Sequence, residues 1–302
     1  MDVSIIIVNY NTRNITLKCI DSIYKHTSDV NFEIILVDNN SKDGSYDFFS
    51  KRDDIIYIYS NENLGFGRAN NLGISKARGK YVFFLNSDTL LINNAIALFF
   101  NYLERMPSHV AGVGAYLLDI NYCHIHSYGV FPTCTNQCLD VIKRKMPFQR
   151  KENIYKKEDI TVEYITGADL FIRKSVLDKV GLFDSTFFMY YEETDLQYRI
   201  TKAGYIFKII TQPQIIHLEG ASSSGDISTP IRKLSMQLSS RYNYLRKHNP
   251  QYKYVIFRVI YALICLFPTL MFQCSWSAKR KYLKLLFCYN EKGSFFKKKA
   301  SR

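Results

Sequence analysis

Residues 4–10 read Ser-Ile-Ile-Ile-Val-Asn-Tyr, a β-branched apolar run that ends in polar residues. A continuous apolar run of this length is typical of a parallel strand that is buried on both faces. Two later runs have the same design: Glu-Ile-Ile-Leu-Val at 33–37 leads into Asp38, and Tyr-Val-Phe-Phe-Leu at 81–85 leads into Asn86. Three such strands predict a parallel sheet with polar side chains gathered along its carboxyl edge, where ligands bind in open α/β sheets.

The segments between these strands have the spacing of helices. Apolar residues recur on one face over residues 16–26, which predicts the first helix. The further predicted helices are 67–77, 93–106, 192–203 and 231–248, and the further predicted strands are 55–59 and 205–211. This alternation predicts an α/β fold with a doubly wound sheet. Residues 119–160 predict loops and short strands, and residues 162–172 predict a strand pair.

The composition describes a folded protein with a strongly basic end. The 302 residues are 47% hydrophobic and 22% charged, which excludes intrinsic disorder, and no repeat of the solenoid or propeller kind occurs. The formal net charge is +13, and residues 231–302 alone hold 16 Lys and Arg against one acid, Glu291. We therefore predict a near-neutral domain over residues 1–230 and a basic C-terminal helical region over residues 231–302.

The cysteines and the N-terminus indicate a reducing compartment. The seven cysteines are odd in number and irregularly spaced, which predicts reduced thiols and disfavours a structural zinc site. The chain begins Met1-Asp2 and runs directly into the first strand, without the pattern of a secretory signal. We therefore expect the N-terminal domain to stay in the cytoplasm.

Polar residues follow each of the three predicted parallel strands. The clusters are Asn9-Tyr10-Asn11, Asp38-Asn39-Asn40-Ser41 and Asn86-Ser87-Asp88. One cluster of this kind commonly makes only a turn or a helix cap. Three clusters on one edge of a sheet favour a binding crevice for a small polar molecule.

An ordered series of motifs resembles a known family. The motifs are Ser4-Ile-Ile-Ile-Val-Asn-Tyr-Asn11, Asp38-Asn-Asn-Ser-Lys-Asp-Gly-Ser45, Asn63-Leu-Gly-Phe-Gly-Arg-Ala-Asn-Asn-Leu-Gly73, Phe84-Leu-Asn-Ser-Asp-Thr89, Thr166-Gly-Ala168, Gly181-Leu-Phe-Asp184, Phe188-Met-Tyr-Tyr-Glu-Glu-Thr-Asp-Leu196 and His217. In this order they resemble the blocks of the family 2 glycosyltransferases, in particular the bacterial rhamnosyltransferase-like and galactofuranosyltransferase-like enzymes. The resemblance covers about residues 3–220. It implies a GT-A-like catalytic domain, whose doubly wound sheet is mixed and has helices on both faces, and inverting transfer from a nucleotide sugar.

The resemblance implies a metal site at the end of the strand 81–85. Asn86-Ser87-Asp88 stands where the family has an Asp-x-Asp type of motif, so Asp88 is the expected ligand, with Asn86 bonding the ribose or a metal-bound water. His217 stands where the galactofuranosyltransferase-like enzymes have a metal-ligating His. The expected cofactor is Mg²⁺ or Mn²⁺, because these ions prefer carboxylate and phosphate oxygens and stabilise a departing diphosphate. The alternatives are a capping role for Asp88 and a structural role for His217.

The resemblance also implies residues for binding the nucleotide. Asp38 stands where the family has an acid that reads the base or the ribose, and a carboxylate there accepts hydrogen bonds from N–H or O–H donors. Asn9 and Asn40 are expected to line the same pocket. Arg68 lies on a predicted helix near the crevice and is expected to pair with the diphosphate. The alternative for Arg68 is a solvated helix face.

Two adjacent acids supply the candidate base. An inverting transfer needs a group that takes the proton of the acceptor hydroxyl, and the resemblance places it at Glu193, with Glu192 as the second choice. Asp195 is expected to hold the local structure or the acceptor. Gly167 and Ala168 belong to an acceptor-side loop. The alternative is that the acids only complement the helix dipole.

The basic C-terminal region contains the apolar stretch Tyr254–Phe272. It is barely long enough to span a bilayer, and Arg258 and Pro268 disfavour a simple span. Basic clusters on both sides favour helices that lie on an anionic membrane surface, at the cytoplasmic face of the inner membrane. A single transmembrane span and a helix for the core or for a homo-oligomer stay open.

Together these features predict one reaction and leave two alternatives. We expect transfer of a sugar, with L-rhamnose from deoxythymidine diphosphate as the first choice, to a hydroxyl of a lipid-linked glycan in surface polysaccharide synthesis. An inactive nucleotide-sugar-binding module is the alternative that Asn86 motivates. A nucleic-acid partner is not expected, because the basic residues flank an apolar stretch and do not run through the body of the chain. The Ser-rich segment 220–225 predicts a loop that closes over the donor.

Overall fold

The computed structural model describes residues 1–144, 155–218, 230–271 and 276–288. The chain forms two compact units. The first unit is Met1–Phe131 with Lys151–Ile227, and the second is Pro132–Arg150 with Ser228–Arg302. The predicted loop at 220–225 lies outside the described residues.

The first unit is built on a sheet of eight strands. They are β1 Val3–Asn9, β2 Phe32–Asp38, β3 Ile56–Tyr59, β4 Tyr81–Asn86, β6 Val110–Ala115, β8 Ile160–Val162, β10 Asp169–Arg173 and β11 Ile206–Ile210. Their order is β3-β2-β1-β4-β10-β6-β11-β8. The first four strands of this order are parallel, whereas β10 is antiparallel to both of its neighbours. The sheet is therefore mixed, as the resemblance implies.

Strand β1 shows why the sheet is buried on both faces. Ile5 and Ile7 belong to one hydrophobic core and Ile6 belongs to the other, because successive side chains of a strand point to opposite faces. Helices cover both faces. In the first unit they are α1 Arg13–His26, α2 Ser45–Phe49, α3 Phe66–Ile74, α4 Ala95–Arg105, α6 Lys174–Val180 and α7 Glu192–Lys202. The α/β fold with a doubly wound mixed sheet is confirmed.

Two short sheets complete the first unit. Strand β5 (Thr89–Leu91) pairs with β12 (Ile215–His217), and β7 (Tyr128–Gly129) pairs with β9 (Tyr164–Ile165). The strand pair predicted over residues 162–172 is wrong in its pairing, because β9 and β10 join different sheets. The backbone between them leaves one sheet for the other and forms a loop at residues 166–168 instead of a hairpin.

The second unit is helical. Its helices are α5 Cys134–Arg144, α8 Pro230–His248, α9 Gln251–Met271 and α10 Trp276–Cys288. The prediction of loops over residues 119–160 is wrong for α5, where apolar residues at 134, 138, 141 and 142 do have the spacing of one helix face. Large aromatic side chains, among them Tyr242 and Phe257, form the buried core of this unit. No helix in the described part of the chain has the length and apolarity needed to cross a membrane.

Gly65 fixes the entry to α3. Its φ of +78° and ψ of −179° are glycine-only geometry, and a Cβ at this position would collide with the carbonyl oxygen of Phe188. We expect Gly65→Ala to lower the free energy of unfolding by about 2–4 kcal/mol, because strain and collision add. Gly204→Ala is the control, since Gly204 also has a positive φ but nothing lies within 4 Å of its added Cβ. Equal losses for the two variants in urea unfolding would show that the contact with Phe188 contributes nothing.

Candidate active site

Asp38 ends β2 and is fully buried at the carboxyl edge of the sheet. One carboxylate oxygen accepts the backbone N–H of Ser41 at 2.8 Å, and the other accepts the hydroxyl of Tyr57 at 2.7 Å. Burial and the bond to Asp38 raise the pKa of Tyr57 above its usual value, so this hydroxyl stays a donor. The carboxylate is thus held in one orientation by two hydrogen bonds, and its contact with a nucleotide stays a prediction.

Asn9 and Asn40 are placed beside Asp38 in different ways. The amide of Asn9 is buried and donates to the Ser41 hydroxyl, while its oxygen accepts the hydroxyls of Thr12 and Thr16. Asn9 therefore holds the loops together. Asn40 has a positive φ of 67°, and its side-chain oxygen accepts the hydroxyl of Tyr59 at 3.2 Å.

Asp88 and His217 meet at the end of β4. His217 Nε2 lies 3.3 Å from Asp88 Oδ1, and their side chains are 15% and 3% exposed. The antiparallel pairing of β5 with β12 sets this distance, because His217 is the register partner of Thr89. The Leu218 N–H donates to the Asp88 carbonyl at 2.8 Å and closes the pair. Two residues that are 129 positions apart in sequence thus form one donor set of a carboxylate and an imidazole.

Asn86 is the last residue of β4, and Arg68 lies on α3. The Asn86 N–H donates to the Ala168 carbonyl at 3.0 Å, which ties the end of β4 to the loop at residues 166–168. Arg68 lies in the first turn of α3, and its Nε donates to the Leu64 carbonyl at 2.8 Å. This bond uses one of the five guanidinium N–H groups.

Helix α7 begins with two acids after two residues of unusual backbone. Tyr190 and Tyr191 have φ values of 71° and 68°, a region that aromatic residues rarely adopt. Glu192 is 2% exposed, and within the described residues its Oε2 has no hydrogen-bond partner. Glu193 is partly buried, and the position of a Cβ on Gly167 would lie 3.5 Å from its Cγ. The loop at residues 166–168 therefore lies against Glu193.

Burial raises the pKa of both acids. Burial, and then the neighbouring charge of Glu193, raises the pKa of Glu192 well above its ordinary value of 4.5. Burial also raises the pKa of Glu193, against the lowering effect of the helix N–H groups. Raised pKa values of this kind cluster at catalytic sites, since a general base works best when its pKa is near the working pH.

The rest of α7 fixes these acids in place. Asp195 is fully buried and accepts Arg199 Nε at 2.9 Å, and Arg199 also donates to the carbonyls of Val180 and Leu182. Gln197 exchanges two hydrogen bonds with the backbone of Ile165. The ion pair thus fixes the Asp195 side chain within α7, and a contact of Asp195 with the acceptor stays a prediction.

Three residues at the site were missed by sequence reasoning. Tyr57 orients Asp38, and Tyr164 is a buried phenol whose pKa is raised by burial and by the charge of Glu193. Asp169 is fully buried, accepts the Ala115 N–H at 2.6 Å, and has its pKa raised well above the usual value by burial. The period-two pattern of β3 places Tyr57 and Tyr59 on one face, and that was the available signal for the first.

Comparison with known proteins decides the family. The model of "Glycosyl transferase family 2" matches residues 4–181, more than half of the chain. The chain belongs to glycosyl transferase family 2. The matched range contains the ends of β1, β2 and β4, and Glu192 and His217 lie beyond it.

Relatives and solved structures agree with this family. Rhamnosyltransferase WbbL of Escherichia coli (strain K12) is 25% identical over 256 residues, which cover 81% of this chain and 93% of the relative. An uncharacterized glycosyltransferase of Rickettsia bellii (strain RML369-C) is 35% identical over 146 residues, 45% of this chain but only 21% of the relative. The crystal structure of GalNAc-T7 with UDP, GalNAc and Mn²⁺ aligns with a TM-score of 0.61 at 16% identity, over 97% of this chain and 55% of that chain. It shows the fold, which is GT-A.

The raised pKa of Glu192 predicts how stability depends on pH. The unfolded chain loses this proton near pH 4.5 and the folded chain only at higher pH, so the contribution of Glu192 to stability falls as the pH rises above that value. We expect Glu192→Gln to raise Tm relative to the wild type by a few degrees more at about pH 8 than at about pH 5.

The control for this prediction is Glu104→Gln. The ion pair with Lys80 and the hydroxyl of Tyr81 lower the pKa of Glu104, so its contribution to stability is nearly complete above its ordinary pKa of 4.5, and its removal is expected to change Tm by nearly the same amount at both pH values. Thermal unfolding at the two pH values measures the Tm change of both variants. A Tm difference for Glu192→Gln that is the same at both pH values would contradict the raised pKa.

Proposed function

We propose that this chain is an inverting glycosyltransferase that moves a sugar from a nucleotide sugar to a hydroxyl of a lipid-linked glycan. The observation that carries the proposal is the pairing of two sites through one loop. Asp88 and His217 meet at the end of β4, and Glu193 lies in the first turn of α7. The loop at residues 166–168 contacts β4 through Ala168 and Glu193 through Gly167. A leaving diphosphate and an attacking hydroxyl need such neighbouring but separate groups.

The nucleotide is assigned to the edge formed by β1, β2 and β4. The Asp38 carboxylate, oriented by Tyr57, accepts a hydrogen bond from the base or the ribose. Asn40 is assigned to the same nucleotide pocket, and Asn9 supports the pocket by its hydrogen bond to Ser41. Arg68 keeps guanidinium N–H groups beyond Nε for a diphosphate oxygen.

The residues present fit a divalent cation. Asp88 and His217 offer a carboxylate oxygen and an imidazole nitrogen 3.3 Å apart. No group of three or more His, Cys, Asp or Glu of metal-holding geometry occurs in the described ranges, so diphosphate and water oxygens would complete the coordination. When bound, Mg²⁺ or Mn²⁺ supplies charge neutralisation for the departing diphosphate. The solved GalNAc-T7 structure contains UDP and Mn²⁺.

Glu193 is assigned as the base that takes the proton of the acceptor hydroxyl. Its raised pKa makes it a stronger base than an exposed carboxylate, and the N-terminus of α7 stabilises the ionised form that starts the reaction. Glu192 is buried beside it, and burial and then the charge of Glu193 raise the pKa of Glu192. The displacement occurs from the face opposite the leaving group, so the configuration at the anomeric carbon inverts.

The sugar and the acceptor are assigned from the relatives. Rhamnosyltransferase WbbL matches over most of both chains, which favours L-rhamnose from deoxythymidine diphosphate. The basic residues 231–302 favour binding to an anionic lipid surface at the cytoplasmic face of the inner membrane. A saccharide linked to a lipid of that membrane is the proposed acceptor.

A donor panel tests this function. Purified protein is incubated with Mn²⁺ or Mg²⁺, a lipid-linked acceptor extract, and one nucleotide sugar at a time, and the released nucleoside diphosphate is measured. We expect release from one donor, dependent on the acceptor and abolished by EDTA. Nucleotide binding without release from any donor would contradict the transfer reaction.

The second candidate function is an inactive nucleotide-sugar-binding module. It is favoured by Asn86, which replaces the first acid of the metal motif. Activity that appears in Asn86→Asp and is absent from the parent would support this alternative. Activity in the parent would exclude it.

A further inference from the structure

Helix α9 has two apolar faces. Its inner face packs into the second unit through Tyr254, Phe257, Tyr261 and Ala262, each less than 10% exposed. The outer face is a stripe with helical spacing, and its side chains are 39–63% exposed: Tyr252, Val255, Ile256, Val259, Ile260 and Leu263. We call these six residues the outer stripe.

Arg258 is the charged residue within the apolar stretch Tyr254–Phe272, and its side chain lies on the inner face of α9. The Arg258 guanidinium lies 4.7 Å from the centre of the Tyr242 ring, and Arg258 Nη2 donates to the Leu286 carbonyl at 3.1 Å. Arg258 therefore does not interrupt the outer stripe, although in the sequence it breaks the apolar run. Over about three helical turns the described outer stripe carries no charge.

An outer face of this kind is unusual. A surface helix that packs on a core by one face normally presents charged and polar side chains on the opposite face. Contiguous apolar exposure instead marks a surface that is covered by a partner or by lipid.

We propose that the outer stripe is a docking surface for an anionic lipid bilayer, with α9 lying in the plane of the membrane. The positive charge of the second unit favours this partner. Arg246, Lys247, Lys253, Arg280 and Lys284 are exposed, and residues 231–302 contain one acid in their sequence. Anionic headgroups complement these charges, whereas a second copy of the chain would bring two strongly basic segments together.

The aromatic residues agree with an interfacial position. Tyr252 is 63% exposed at one end of the outer stripe, and Trp276 is 72% exposed at the start of α10. Tyr and Trp are enriched where an apolar surface meets the headgroup region, because each has an apolar ring and a polar tip. An in-plane helix with an apolar face and flanking Lys and Arg is the arrangement of interfacial attachment.

Docking of the outer stripe on a membrane would bring the enzyme to a lipid-linked acceptor. In this one respect the inference rests on the proposed function. The experiment uses no nucleotide sugar, so its outcome is separate from that of the donor panel. The full chain is mixed with sucrose-loaded vesicles of phosphatidylcholine, with or without phosphatidylglycerol, and the sedimented fraction is measured. We expect binding to the anionic vesicles that falls at high salt and is at least about tenfold weaker with neutral vesicles.

Matched variants locate the surface. Ile256→Glu with Val259→Glu is expected to weaken binding to anionic vesicles at least about tenfold, because carboxylates replace apolar groups at a negative surface. Ile120→Glu makes the same change at an exposed apolar residue of the first unit and is expected to bind as the parent does. Ile256→Ser with Val259→Ser adds no charge, and a smaller loss is expected; circular dichroism confirms the fold of each variant.

Three results would overturn the proposal. The first is no sedimentation of the parent with anionic vesicles. The second is unchanged binding by both double variants. The third is a dimer of the parent, seen by light scattering, that the double variants convert to a monomer while vesicle binding is unchanged, because this would assign the outer stripe to self-association.

Discussion

Glu193→Gln is expected to lower the rate of sugar transfer by about 10²- to 10⁴-fold, the usual contribution of a general base. The amide keeps the size and the contact with Gly167 but takes no proton at neutral pH. Nucleotide affinity should be nearly unchanged, because the proposed donor residues lie at the ends of other elements. Initial rates with the donor found in the panel, together with a nucleotide titration, measure both quantities.

Two comparisons make this prediction specific. Glu104→Gln makes the same chemical change at a partly exposed acid on α4 and should keep the parental rate. Glu192→Gln should keep more activity than Glu193→Gln, because Glu192 is buried beside the base. If Glu192→Gln loses more activity than Glu193→Gln, the roles of the two acids are exchanged.

Asp88→Asn is expected to remove about 3 kcal/mol of transition-state stabilisation, or about 10²-fold in rate. The amide cannot neutralise a cation, and it leaves His217 as the one protein ligand that we assign to the metal. Unlike Glu193→Gln, this change should also weaken the binding of the nucleoside diphosphate when Mn²⁺ is present. In EDTA the variant and the parent should bind it equally, since the difference depends on the metal.

The control for Asp88→Asn is Asp54→Asn. Asp54 pairs with Arg52 at 2.6 Å on the surface of the first unit, where a salt bridge contributes little to stability. A calorimetric titration with the nucleoside diphosphate, with and without Mn²⁺, compares the three proteins. A metal effect of equal size in Asp88→Asn and in the parent would remove Asp88 from the metal site.

The strands that end in the site were predictable because each is long, apolar and followed by polar residues. The ends of β1, β2 and β4 follow from the runs before Asn9, Asp38 and Asn86. The three strand ends are expected to lie close together, because the carboxyl ends of parallel strands meet at one edge of the sheet. The antiparallel insertion of β10 between β4 and β6 was not predictable, since the order of strands is decided by packing and not by local pattern.

The parts of the site that depend on contacts across the chain were harder to predict. The resemblance placed Asp88 and His217 at one metal, and the structure brings them to 3.3 Å through the pairing of β5 with β12, two three-residue strands too short to show a pattern. The hydrogen bond of Tyr57 to Asp38 has no sequence signal of its own. The orientation of the Asn9 side chain depends on the hydroxyls of Thr12 and Thr16, which its oxygen accepts.

In the C-terminal helices, too, the sequence predicts the segment but not the contacts that it makes. Apolar content and flanking charge predicted an apolar segment near residues 254–272, and α9 covers most of it. The side of α9 on which Arg258 lies depends on the rings of Tyr242 and Tyr254, which stabilise its guanidinium within the second unit. The sequence therefore located the segment, and only the packing separates its inner face from its outer stripe.

The anomeric configuration of the product tests the central claim most directly. The donor identified in the panel is converted with the lipid-linked acceptor, and the new glycosidic bond is assigned by NMR. Direct displacement with Glu193 as the base predicts a configuration opposite to that of the donor. Retention of the donor configuration would contradict both the mechanism and the role of Glu193.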